Sequence, residues 1–118
     1  MNGIICIFKE QDITSFGVCS RLRRLFGEKK VGHAGTLDPM ATGVLPVLLG
    51  GATRFLDYLP NDDKGYTAVF ELGITTDTLD TTGRVLTRSE VNVTEQEVAA
   101  VAESFRGKIL QLPPMYSA

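Results

Sequence analysis

Residues 32–39, GHAGTLDP, hold the single histidine of the chain, two glycines and an aspartate joined to a proline. His33, Thr36 and Asp38 bring an imidazole, a hydroxyl and a carboxylate into one short stretch. A carboxylate can act as a nucleophile or a general base. Pro39 removes a backbone donor and pushes Asp38 away from helical dihedrals. Gly32 and Gly35 allow close backbone approach or positive φ. The segment is therefore expected to hold a fixed shape. Taken alone, Leu-Asp-Pro is accounted for by an ordinary Asp-Pro turn.

Other chemistries find little support. The 118-residue chain has no P-loop, no glycine-rich dinucleotide turn and no metal-ligand spacing. One histidine offers one base for a Ser-His-Asp triad, and no nucleophile elbow accompanies it. Cys6 and Cys19 match no metal motif, so reduced structural thiols and a cytoplasmic setting are expected. GIICIF at 3–8 is too short for a secretory h-region, and no apolar run is long enough to cross a membrane.

Net charge is −2, which gives no global support for binding nucleic acid. Its distribution is uneven. RLRRLFGEKK at 21–30 carries Arg21, Arg23, Arg24, Lys29 and Lys30 against Glu28. Five positives against one negative leave +4 there, and seven positives against thirteen negatives leave −6 elsewhere. A solvated helix face explains such a run as well as phosphate contact does.

The elements that must position the loop follow from periodicity. Residues 3–8 form a continuous apolar run and predict a buried strand. Thr14 or Ser15 caps a helix to about Phe26, with Phe16, Cys19, Leu22 and Phe26 facing inward and Gly27 as its stop. Arg21 and Arg24 fall on the opposite face. Residues 27–42 read as loop and 43–49 as a strand, with Pro46 arguing for an edge or bulge. A short helix over 52–59 and a polar turn at Asn61–Asp63 follow. Residues 66–72 alternate as a strand does. Residues 73–83 read as a long loop, with a short strand near 84–87. Thr94 and Glu97 form a capping box for a helix whose Val98, Val101, Ala102 and Phe105 share a face, ended by Gly107. Lys108–Leu112 looks extended before Pro113-Pro114. The pattern predicts an α+β fold with a mixed, largely antiparallel sheet and flanking helices.

VGHAGTLDPMATGVLPVLLGGATR resembles the signature of the TruB family of bacterial tRNA pseudouridine synthases, which isomerise uridine 55 of the tRNA T-loop. KGYTAVFELG, TTDTLDTTG and FRGKILQLPPMYSA resemble the same family, in the same order. The resemblance implies the N-terminal half of a pseudouridine synthase fold, a tRNA T-arm partner, a monomeric full-length enzyme and no cofactor or metal. It makes Asp38 the catalytic aspartate and Tyr66 the active-site tyrosine, able to stack on uracil and help move a proton. It sets His33 against RNA near a flipped-out base; a histidine that merely ties the loop together is the alternative. Gly35 and Thr36 belong to the same RNA-facing loop. Lys64 is a further contact candidate, and Arg21, Arg24, Lys29 and Lys30 lie where RNA approaching Asp38 would pass. A non-catalytic module gripping a folded tRNA arm is the rival reading.

Two departures stand out. The family commonly shows Lys-Pro-x-Gly after the first strand, where this chain has Lys9, Glu10, Gln11 and Asp12. The lost proline and glycine are expected to loosen that turn without touching the chemistry. Family members also continue well past PMYSA, into further strands and an arginine that pairs with the aspartate. Residues 1–118 are thus expected to be an N-terminal portion of the catalytic domain, inactive alone.

Overall fold

A computed structural model describes residues 1–59 and 63–112. The chain divides into two compact units, Met1–Gly65 and Tyr66–Ala118.

The first unit is a three-stranded antiparallel sheet backed by a helix. Its strands are β1 (Gly3–Lys9), β2 (Val31–His33) and β3 (Gly43–Leu49), in the order β1-β3-β2. β3 is therefore central, not the edge that Pro46 suggested. Pro46 lies opposite Ala34, one step past the last β2 pair, His33↔Val47. Its carbonyl accepts from Ala34 N–H at 2.9 Å. The missing donor thus falls where the β2 ladder has already ended, and proline costs no ladder bond there. β2 itself was hidden inside the expected loop, since three residues are too few to show a period.

Helix α1 (Ser15–Phe26) begins as expected: the Thr14 hydroxyl accepts from Gly17 N–H at 2.9 Å, and Gly27 ends it at φ 61°. Val18, Cys19 and Leu22 pack on Val31, Leu45, Val47 and Leu49, with Ile5, Ile7, Ile13, Phe26 and Leu37 around them. Each such aliphatic side chain contributes about 1.5–3 kcal/mol by leaving water. Burial pushes the Cys19 thiol up, in keeping with a structural role. Phe16, expected inside, points outward. Its ring carries the Arg23 guanidinium 5.1 Å from the centroid. Arg23 also donates to Val31 carbonyl at 2.9 Å, tying α1 to β2. The helix stripe is therefore centred on Val18 and not on Phe16.

β1 is buried on one face only. Ile5 and Ile7 meet the core, whereas Ile4 and Phe8 are exposed. An unbroken apolar run does not reveal whether one face or both are covered. A 3₁₀ helix (Gly50–Tyr58) follows β3 and accounts for the expected short helix. Of the predicted polar turn, Asn61 and Asp62 lie outside the described residues.

The second unit holds a hairpin and a helix. β4 (Ile74–Thr76) pairs antiparallel with β5 (Val85–Arg88), with an irregularity between Thr75 and Thr76. The connection is organised by acids. Asp77 Oδ1 accepts from Arg84 N–H at 2.8 Å. Asp80 Oδ1 accepts from the Thr82 and Thr78 hydroxyls at 2.6 and 2.7 Å, which hold its carboxyl below the usual range. Helix α2 (Glu95–Glu103) has the full Thr94–Glu97 capping box. The strand expected over 66–72 does not form, and Lys108–Leu112 is not in a ladder. Alternation is a half-buried pattern, and a strand also needs a paired edge. Among the described residues no segment pairs with 66–72, and every ladder is antiparallel. Pro113-Pro114 lies outside the described residues.

Candidate active-site loop

The loop between β2 and β3 leaves the sheet at His33 and returns at Gly43. Gly35 takes φ 75°, a left-handed conformation that a side chain would resist. The Asp-Pro turn forms as its residues demand: Ala41 N–H donates to Asp38 carbonyl at 3.0 Å across Pro39. Asp38 itself is exposed. Among the described residues no cation pairs with its carboxylate.

The residues on either side of Asp38 are held. On the near side, Ser15 Oγ donates to Leu37 carbonyl at 3.1 Å and accepts from Leu37 N–H at 3.0 Å. The Leu37 side chain packs on the core. On the far side, Pro39 carbonyl accepts from Asp12 N–H at 2.8 Å and from Lys9 Nζ at 3.1 Å. Lys9 is only 1% exposed, and its other two donors go to the carbonyls of Glu10 at 2.9 Å and Ile13 at 2.8 Å. Three carbonyl dipoles thus satisfy the three donors of a buried ammonium. Asp12 sits at φ 65°, where the family motif has glycine. The turn expected to be loosened is therefore bonded directly to the loop.

The other expected residues divide. His33 is half-buried, and its Nδ1 bonds Gly35 carbonyl. Because a carbonyl only accepts, Nδ1 carries the proton, and Nε2 is left for another partner. This geometry is that of a histidine tying its loop together. Lys64 lies over the same loop: a Cβ on Gly35 would stand 3.7 Å from Lys64 Cε and 4.0 Å from Nζ. Thr36 is exposed beside Asp38, and Arg21, Arg24, Lys29 and Lys30 are all exposed. Tyr66 opens the second unit, exposed and outside any strand. That unit has a cleft of about 500 Å³ lined by Phe70, Leu79, Asp80, Val85 and Arg88 among others, and no expected site residue lines it.

Sequence reasoning missed Lys9, Asp12 and Ser15. Lys9 and Asp12 registered only as a departure from a motif, and Ser15 only as an alternative cap. Their partners in the loop, Leu37 and Pro39, lie 22 to 30 residues away, beyond any local period.

A sequence model of one family, described as "TruB family pseudouridylate synthase (N terminal domain)", matches residues 23–118. The chain belongs to the TruB family. A tRNA pseudouridine synthase B of Clostridium tetani (strain Massachusetts / E88) is 50% identical over 119 residues, covering 100% of this chain and 41% of that relative. The protein of the same name from Syntrophotalea carbinolica (strain DSM 2380 / NBRC 103641 / GraBd1) is 53% identical over 119 residues, covering 39% of its own length. The chain thus spans about two fifths of the length of these curated relatives. It also resembles a chain in the crystal structure of a Cbf5-Nop10-Gar1 complex, with TM-score 0.66 and 29% identity over 98% of this chain and 30% of that one. A chain in the structure of an H/ACA RNP bound to a substrate RNA containing 2'-deoxyuridine gives TM-score 0.62 and 27% identity, over 92% of this chain and 29% of that one. The α+β fold expected from the sequence agrees with this family membership and with both solved chains. Among the described residues no helix is long and apolar enough to cross a membrane.

Proposed function

We propose that this chain supplies the aspartate-bearing loop of a tRNA pseudouridine synthase, acting on uridine 55 of the T-loop. The observation that carries the reading is the exposed Asp38 carboxylate on a loop whose two flanking residues are bonded to buried groups. The overall change is an isomerisation. The N1–C1′ bond breaks, the uracil turns over, a C5–C1′ bond forms, C5 loses its proton and N1 gains one. A carboxylate serves this by attack on sugar or base, or by promoting elimination. The base must first leave its stack, at about a few kcal/mol. In this reading His33 Nε2, Thr36 and Lys64 meet the displaced nucleotide. Arg21, Arg24, Lys29 and Lys30 offer phosphate contacts that orient the T-arm without reading its sequence. Tyr66 stacks on the base in this reading. Residues 1–118 form the N-terminal portion of the catalytic domain, and turnover requires the remaining three fifths of the relatives' length. The full-length enzyme is a cytoplasmic monomer that needs neither cofactor nor metal.

The test is tritium release from C5-labelled tRNA. In the full-length enzyme, Asp38→Asn abolishes release while tRNA affinity stays within about three-fold; normal release refutes the catalytic assignment and leaves a module that only grips RNA. Arg21→Gln with Arg24→Gln weakens tRNA binding at every sequence tested. Each lost phosphate contact reduces the slope of log K against log salt by about 0.7–0.9. An unchanged slope returns the run to a solvated helix face.

A further inference from the structure

We propose that Ser15 is a positioning residue for Asp38, a role that rests on the reading of Asp38 given above. Ser15 is 2% exposed and stands at the first position of α1, beside a cap that Thr14 already provides. Its hydroxyl is therefore not needed to start the helix. It is spent across 22 residues of sequence on both backbone polar groups of Leu37, the residue that precedes Asp38. One hydroxyl here replaces a strand partner: it gives the Leu37 N–H an acceptor and the Leu37 carbonyl a donor. The loop has no ladder of its own between His33 and Gly43, so this pair is what anchors its near side to the helix. On the far side Pro39 carbonyl is bonded by Asp12 and Lys9. Asp38 is thus an exposed residue between two immobilised peptide groups. Orientation fixed before the substrate arrives lowers the barrier, and a small displacement of a reacting group costs rate more than binding.

Ser15→Ala keeps the shape, preserves helix propensity and removes both bonds. In the full-length enzyme the expected result is a fall of at least ten-fold in the single-turnover rate of C5 tritium release, with tRNA Kd within two-fold of the parent. Ser15→Thr, which keeps the hydroxyl, restores the rate to within three-fold. Val18→Ala, on the buried face of the same helix, is the stability control. It lowers Tm at least as much as Ser15→Ala and leaves the rate within two-fold. Faster amide exchange at Leu37 in Ser15→Ala, with Val47 unchanged, reports the loop's release independently of activity. A Ser15→Ala rate within two-fold of the parent overturns the proposal, as does a rate that falls equally in Val18→Ala. Asp38→Asn assayed alongside separates the two failures. If it is inactive while Ser15→Ala is normal, only the positioning role falls; if it is active, both fall.

Discussion

α1 and α2 begin in the same way and end in different environments. Each has a threonine N-cap whose hydroxyl accepts from the third residue onward. α1 buries Ser15, Val18, Cys19 and Leu22 against a three-stranded sheet, whereas α2 buries none of its residues. Val98, Val101 and Phe105, which the sequence sets on one apolar face, are 43%, 60% and 65% exposed. The comparison separates two things that a periodic sequence reports together. Capping and propensity form a helix locally, but stabilising it to the level of a core needs a surface to cover. The same holds for the loops. The β2–β3 loop is bonded to buried groups of other elements, while the β4–β5 connection is held by its own Asp77, Asp80 and threonines.

The two helices should respond alike to loss of a cap and differently to changes in packing and pH. The largest effect belongs to the core. Leu45→Ala, at 1% exposure, should destabilise the first unit by about 2–5 kcal/mol. Val101→Ala in α2 should stay within about 0.5 kcal/mol. Chemical denaturation of the two variants checks this, and equal losses would mean that α2 has a partner surface. Next come the caps. Thr14→Ala and Thr94→Ala should each cost about 1 kcal/mol, because a cap acts within one turn whatever the helix covers. Amide exchange in each helix reads the two losses separately, and a cap loss confined to α1 would contradict a purely local origin.

The smallest effect is a pH dependence confined to α2. Thr94 N–H donates to Glu97 Oε2 at 2.7 Å and the Thr94 hydroxyl at 2.9 Å, which together hold the Glu97 carboxyl below the usual glutamate range. The unfolded chain therefore binds the proton first. The box contributes fully above the ordinary glutamate value and is lost as pH falls through the lowered one. Protection of the first α2 amides, taken relative to the intrinsic exchange rate at each pH, should fall as pH is lowered through the glutamate range, and Glu97→Gln should flatten that change. An identical profile in the variant would exclude Glu97 as the source.

Much of this is legible in the amino-acid sequence. Thr14, Gly27, Thr94 and Glu97 mark helix ends because their bonds close within four residues. The run from Val31 to Arg54 carried the family resemblance, and with it Asp38. Other readings failed for identifiable reasons. Phe16 satisfies the helical period as well as Val18 does, and only the lie of the sheet chooses between them. Residues 66–72 alternate correctly but have no edge to pair with among the described residues. Pro46 argued against a central strand, yet it falls just beyond the shorter neighbour.

Residue identity was enough to show which groups are chemically available and where both helices begin, since both depend on contacts a few bonds away; the end of α2 was not among them, because the helix stops at Glu103 and not at Gly107. Which faces are covered, and that Lys9, Asp12 and Ser15 reach residues 37 and 39, depends on how the strands pair and the helix packs on them. Those contacts join segments more than twenty residues apart, and their register is set by the β1–β3 pairing and not by any local period.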